Sequence, residues 1–395
     1  MPNWMFNWMF AAGAIIAVLL ISIYMYRYVK RSLDFWKVNT SKRLVKIITI
    51  IASLITAVSS LVIFSWEGIL SLHIVFSAVF VDLLYLIIRP FIKNKSNKAS
   101  NGILKCYRSG VIPLVITTIF MVCGMANMNH VVQTNYNIKT DKNIKDYKIA
   151  LITDVHYGTI QNKKLLEESV KRLNTQIIDF AVLGGDLVDE HTSKSDMQQL
   201  FKNLGGIKTK YGIYYIYGNH DTQPYTSNKK FTVDELNSAI KQNNIKILQD
   251  TTANINDDIT LVGRSDASWG KRISTDKILE NSDKNNYIIV ADHHPLDMDA
   301  NSGQGADLQL SGHTHGGQIW PVGNILEMVN KPNYGEYEFG NMKLIVSSGH
   351  TGWGFPIRTQ KLCEYVIIDL QGKSNEGISY NPFCLQFINE YGIII

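Results

Sequence analysis

Cysteine is scarce in this chain: four residues in 395, at positions 106, 123, 363 and 384. That is too few for a disulfide scaffold or a cysteine-based metal site. Only Cys363 and Cys384 lie outside the apolar N-terminal part, and the sequence leaves open whether they pair. Acidic residues are nearly missing from the first third. Residues 1–130 hold Asp34, Glu67 and Asp82 against 13 lysines and arginines, a net +10. Since the whole chain is +5, the remainder carries −5. The overall basicity therefore belongs to the apolar segment and gives no ground for nucleic-acid binding. No basic residue precedes the first apolar run, so the n-region of a cleaved signal peptide is absent. No internal repeat is evident.

What the first third does have is apolar length. Residues 8–26, 47–65, 68–88 and 110–128 each approach the roughly 20 apolar residues a membrane span needs. The fourth is the weakest, with Pro113, Gly124 and Asn127. Seven of the 13 basic residues fall between the first and second runs and six between the third and fourth. The positive-inside rule then places both basic loops in the cytoplasm, with the N-terminus and everything after the fourth span outside. The third run contains His73 and Asp82, nine positions apart and so on opposite faces of a helix. Ionisable groups in a bilayer are functional candidates. Asp82 is expected to pair with Arg89, and a structural role in the bundle competes with transport or sensing.

Residues 129–146 are polar and aperiodic, as suits a linker. From Tyr147 short apolar runs alternate with amphipathic stretches such as 161–175 and 231–243, the pattern of a layered α/β domain with sites at strand ends. Each run ends in metal-ligand residue types. KIALIT leads into Asp154-Val-His156, DFAVLGG into Asp186, and GIYYIYG into Asn219-His220-Asp221. YIIVAD leads into His293-His294-Pro295, and LQLSG into His313-Thr314-His315. In an extended segment residues i and i+2 share a face, so Asp154 with His156, and His313 with His315, can each aim at one point. The glycines of SGHTHGGQ let the backbone turn sharply and leave room.

In this order DxH, GDxxD, GNHD, HxP and GHTHGGQ resemble the calcineurin-like metallophosphoesterases over roughly residues 147–370. The closing SSGHTGWGFPIR and EYVIIDL are similar to the prokaryotic membrane-anchored branch. The resemblance implies a β-sandwich flanked by helices, with a dinuclear metal centre at the strand ends. Asp154, His156 and His315 would hold one metal, Asn219, His293 and His313 the other, and Asp186 would bridge them. His293 is preferred because it stands two residues before Pro295, with His294 the alternative. His220 would sit by the leaving group, oriented by Asp189. Two divalent cations, two carboxylates and a bridging hydroxide leave about +1, which suits an anionic phosphate. Imidazole and carboxylate donors suit Mn, Fe or Zn. Such a pair lowers the pKa of its shared water and clamps phosphoryl oxygens, and proton donation by His220 is typically worth ~10²–10⁴-fold.

Other residues are less determined. Arg358 could bind a phosphate bidentately or form a surface ion pair, and His350 could reach the site from the end of a strand. Trp269 and Trp353 could wall a lipid or sugar, or simply pack. His130 and His191 read as ordinary exposed histidines.

The expectation is thus an all-α transmembrane segment of four helices (1–128), a linker (129–146), an α/β phosphoesterase domain (147–372) and a C-terminal tail (373–395). Its function would be an outward-facing, membrane-anchored hydrolase of phosphate esters or pyrophosphates. The substrate would be a phosphorylated small molecule or a lipid-linked one, and no nucleic acid is expected. The alternative is a membrane sensor or binding protein using the domain as a ligand-binding module. A transporter with an accessory domain is disfavoured by the lack of inverted repeats.

Overall fold

A computed structural model describes residues 3–62, 65–92, 98–270, 272–280, 282–329 and 331–373. Cys384 and the tail beyond Lys373 lie outside the described residues. The chain divides into two compact units. The first comprises Met1–His130 with Gly317–Met328 and Gly352–Leu362, the second Val131–Gly316, Val329–Thr351 and Cys363–Ile395.

The first unit is helical: α1 (Asn3–Phe35), α2 (Arg43–Ser59), α3 (Trp66–Ile92), α4 (Lys98–Ser109) and α5 (Val111–Met128). An apolar segment in lipid must satisfy its backbone internally, which selects helix. Among the described residues three stretches are long and apolar enough to cross a membrane: Ala11–Phe35, Trp66–Ile92 and Val111–Met128. The expected second span is shorter than foreseen, because α2 has 17 residues and ends at Ser59. At 1.5 Å per residue it reaches about 25 Å, less than the ~30 Å hydrocarbon thickness. The basic loop before α5 contains α4, which the sequence reading did not foresee.

Asp82 does not pair with Arg89. Its carboxylate accepts from Arg31 Nη1 at 2.8 Å and Tyr24 OH at 2.9 Å. The partner is on a neighbouring helix rather than two turns along α3. His73, on the opposite face, places Nδ1 2.8 Å from Ile69 O and Nε2 3.0 Å from Thr359 Oγ1. Thr359 belongs to one of two segments that the expected 147–372 domain would have claimed. Both are built into the helical unit, where Ile69, Ile319 and Ile357 form a buried cluster with Leu72, Met121 and Phe355. Gln318, the last residue of the SGHTHGGQ run, donates Nε2 to Trp353 O and Ile357 O and accepts from Trp353 N. At Gly124 of α5 a Cβ would lie 2.7 Å from Thr359 Cγ2, so the absence of a side chain there lets the segment close on the helix.

The second unit holds two six-stranded sheets. One runs β1 (Val131–Lys139), β12 (Cys363–Gln371), β2 (Tyr147–Ile152), β3 (Phe180–Leu183), β4 (Ile213–Tyr215), β5 (Ile245–Ile247). The other runs β10 (Gly335–Phe339), β11 (Met342–Val346), β9 (Leu308–Ser311), β8 (Tyr287–Ala291), β7 (Ile259–Gly263), β6 (Thr251–Ile255). One apolar cluster draws on both: Ile149, Leu151, Phe180, Val182 and Ile368 from the first, and Ile259, Leu261, Ile289, Leu310 and Ile345 from the second. Each such side chain contributes about 1.5–3 kcal/mol by leaving water.

The inner strands are apolar throughout because they are covered on both faces. Helix α6 (Lys164–Leu173) buries Leu166, Val170 and Leu173; α7 (Lys194–Leu204) buries Met197, Leu200, Phe201 and Leu204; α8 (Val233–Gln242) buries Leu236, Ala239 and Ile240. These are the i, i+3 and i+4 stripes of amphipathic helices. Phe201 meets Tyr215 edge-on at 5.9 Å. Within the expected linker, Val131–Lys139 form an edge strand that runs parallel to the last strand, Val131 opposite Cys363. Its polar residues find partners: Thr134 donates to the buried Glu364, and Gln133 accepts from Tyr365 OH at 3.2 Å.

Candidate metal centre

Strands β2, β3, β8 and β9 each run out into a loop that carries candidate ligands, as do the residues following β4. The loops are fastened by the backbone. Asp154 N–H donates to Gly185 O at 3.0 Å, and His156 N–H to Asp186 O at 3.1 Å. His313 N–H lies 3.1 Å from both carboxylate oxygens of Asp154, and His220 N–H donates to Asp186 Oδ1 at 2.8 Å.

Five of these residues occupy the left-handed region: Asp154 (φ 52°), His156 (41°), Asp186 (51°), His313 (69°) and His315 (50°). Side-chain-bearing residues seldom sit there, and such strain concentrates at functional sites where the surroundings over-determine it. The glycines have a steric reason too. A Cβ on Gly312 would lie 2.2 Å from Asp154 Oδ2, and one on Gly218 would lie 2.2 Å from Asp186 Oδ1.

Two groups of ligand-type side chains result. Asp154, His156 and His315 present donor atoms within 4.8 Å of one another, and so do Asp186, His293 and His313. Five of the six residues are buried and His313 is half-buried. Asn219 brings Oδ1 to 3.0 Å from His313 Nδ1. His293 is fixed by Nδ1–H donating to Gly184 O at 2.8 Å, with Nε2 3.1 Å from Asp186 Oδ2. His294 lies against the His313 ring at 3.8 Å between centroids but directs Nε2 to Asp266 Oδ2, 3.1 Å away. His315 Nδ1–H donates to Thr351 O at 3.0 Å. Backbone carbonyls behind ring nitrogens of this kind fix the tautomer that leaves Nε2 free to ligate.

The donor set fits a pair of divalent cations. His156 Nε2 is buried without a hydrogen-bond partner, while His156 Nδ1 and His293 Nε2 are buried against the carboxylates of Asp189 and Asp186. Such groups are costly unless something positive or protic meets them. Electrostatics point the same way. Burial works to raise the Asp186 pKa, but the charges of His293, His156 and His220 hold it well below the usual carboxylate range. Burial opposes protonation of His156 and His293, yet Asp189, Asp186 and Asp154 outweigh it at His156, and Asp186 at His293, so both shift upward. His313 is pushed down to about 3 by burial and by neighbouring His293 and His294. The cradle therefore attracts positive charge.

A family model for the calcineurin-like phosphoesterases matches residues 147–317. The chain carries a calcineurin-like metallophosphoesterase domain. It is similar to a metallophosphoesterase of Campylobacter jejuni, 29% identical over 290 residues, covering 71% of this chain and 74% of that one. One from Helicobacter pylori is 30% identical over 227 residues, covering 56% and 59%. A transmembrane protein with metallophosphoesterase domain from Danio rerio is 26% identical over 282 residues, covering 67% and 63%. The phosphoesterase domain makes this chain a metal-dependent hydrolase, and its relatives extend to membrane proteins.

Within the phosphoesterase domain some expected roles move. Asp189 does not orient His220. Its Oδ2 lies 3.3 Å from His156 Nδ1, while Oδ1 accepts from His191 N–H at 2.8 Å and closes a turn. That turn delivers the next residue instead: Glu190 Oε2 is 2.8 Å from His220 Nδ1. His350 is fully buried, with Nε2 3.0 Å from Ser169 Oγ on α6, and burial pushes its pKa down to about 3. It packs into the interior rather than facing substrate. Arg358 is fully buried in the helical unit, where it donates Nη1 to Leu362 O at 3.2 Å, and is not a surface residue. Trp269 leans on Tyr217 at 5.0 Å.

One important residue had no assigned role. Asp221, the last of GNHD, is completely buried. It accepts four backbone N–H groups: Gly218 at 2.6 Å, Asp186 and Leu187 at 2.9 Å, and Val188 at 3.1 Å. Its position two residues after Asn219 was the available signal.

Proposed function

We infer that the protein is a membrane-anchored phosphoesterase that hydrolyses a phosphate ester or pyrophosphate at two divalent cations. The observation that carries this reading is the pair of buried donor groups, Asp154/His156/His315 and Asp186/His293/His313. Asn219 would complete the set, with Asp186 serving both sites and Mn, Fe or Zn the metals that suit these donors. When bound, such a pair supplies an activated water and a positive clamp for phosphoryl oxygens.

The chain's own residues do the rest. The carbonyls of Gly184 and Thr351 hold His293 and His315 in their ligating tautomers. His220, held by Glu190, is placed to donate a proton to the leaving oxygen, and Asp189 steadies His156. The domain faces outward if α2 crosses the bilayer together with α1, α3 and α5, because only that count of spans puts the basic residues before α2 and before α5 on the same, cytoplasmic side. A lipid-linked or envelope phosphate is then the favoured substrate class. The sensor reading loses its main support, since His73 and Asp82 are engaged with Thr359, Arg31 and Tyr24.

The test is a panel of phosphomonoesters, phosphodiesters and pyrophosphates with bound metal measured alongside. Two metals per chain and activity lost in Asp186→Asn are expected; full activity in Asp186→Asn refutes the reading. For orientation, Ser193→Cys should react with an impermeant thiol reagent on intact cells, and labelling only after lysis reverses the sidedness.

A further inference from the structure

The helical unit contains a second concentration of charge, distinct from the metal ligands. A cavity of about 610 Å³ is lined by Arg27, Lys30, Arg31 and Lys37 of α1 and its C-terminal end, by Arg108 of α4, and by a single acid, Asp34. That volume lies in the range of small-ligand sites.

Few of these charges are answered within the protein. Asp34 accepts from Lys30 at 3.2 Å and from Thr40 Oγ1 at 2.6 Å, which compensates one cation. Arg31 is shared with Asp82 and Tyr107 OH and lies over the Tyr107 ring at 4.1 Å, yet its Nε and Nη2 are buried without a hydrogen-bond partner. Arg27, Lys37 and Arg108 make no ion pair among the described residues. Like charges around one hollow repel unless an anion joins them. Guanidinium forks match phosphate oxygens in particular, and clusters of this kind beside a membrane segment are where phosphate-bearing headgroups bind.

We propose that this cavity binds a phosphate-bearing anion, either the headgroup of an anionic phospholipid or a soluble phosphate compound. The bland alternative is that the five bases only set membrane topology, in which case no anion is recognised. The full-length chain, purified in a neutral detergent, is titrated with phosphatidylglycerol, with phosphatidylcholine and with inorganic phosphate, following the thermal unfolding midpoint. The comparison protein is Arg27→Gln/Lys37→Gln/Arg108→Gln, which leaves every metal ligand intact, so phosphate bound at the metals contributes equally to both.

Phosphatidylglycerol should raise the midpoint of the native chain, and the triple variant should bind it on the order of 100-fold more weakly, about fivefold per removed charge. A response to phosphatidylglycerol alone assigns a lipid headgroup; a response to inorganic phosphate that the variant also loses assigns a soluble phosphate. Equal responses in variant and native chain, a response to phosphatidylcholine as strong as to phosphatidylglycerol, or none to any probe overturns the proposal. If the triple variant does not fold, Lys37→Gln alone, at an exposed position, carries the same test with a fivefold expectation.

Discussion

Replacing Asp221 by Asn changes one atom's chemistry and almost no volume, and the structure allows its cost to be worked out. Oδ2 accepts from Asp186 and Gly218 N–H, and Oδ1 from Leu187 and Val188 N–H. Whichever way the amide settles, its NH₂ faces two buried donors that lose their acceptor. A buried donor left unsatisfied costs about 1–3 kcal/mol, so the two together cost roughly 2–6 kcal/mol. The loss falls on the loops that bring Asp186, Asn219 and His220 together.

Hydrogen exchange read by mass spectrometry reports it directly. Peptides covering 184–190 and 217–222 of Asp221→Asn should exchange between about 30-fold and 10⁴-fold faster than in the native protein, converting that cost at 1.4 kcal/mol per tenfold. Peptides from β8 and β9 should change little. Bound metal should fall in parallel. Unchanged exchange in both loops together with unchanged metal content would refute the view that this carboxylate fastens them.

Two further outcomes separate neighbouring roles. Glu190→Gln should lower kcat about tenfold with metal content intact, because it releases His220 from its partner. Asp189→Asn should instead weaken metal binding about 10–100-fold through His156; kinetics and metal analysis on both variants would show the reverse pattern if the assignment is wrong. His350 gives a pH dependence. Its folded pKa of about 3 lies below the unfolded value, so protons favour the unfolded chain. Stability is intact above about pH 6.5 and declines as pH falls, by ~1.4 kcal/mol per unit and roughly 2 kcal/mol by pH 5. Denaturation midpoints of His350→Gln between pH 7 and 5 should lose that part of the slope, and an unaltered slope would count against a neutral buried imidazole.

Much of the centre was legible because strands end where their polar residues begin. Asp154, His156, Asp186, His293, His313 and His315 all stand directly after apolar runs, and a period of two is easy to read. The choice between Asp189 and Glu190 was not legible, since adjacent carboxylates differ only by a turn that His191 and Thr192 close through the backbone. Strand β1 was missed for a related reason: an edge strand with polar partners such as Glu364 and Tyr365 needs little apolar alternation. Arg358 and His350 misled because solvent exposure is a tertiary property. Nothing local to SGHTHGGQ says that Gln318 belongs with α3 and α5 while His315 belongs with the sheets.

The parallel ladder from Val131 to Lys139 with Cys363 to Gln371 ties the start of the sheet unit to its end across more than 200 positions. A ribosome delivers the first partner long before the second. Until the last stretch emerges, β2 lacks its neighbour β12, and the carboxylate of Glu364 is not there to meet Thr134. Closing so distant a contact is entropically slow. The sheet therefore stays incomplete until residues 363–371 have been made, and the nascent chain must wait with one edge open.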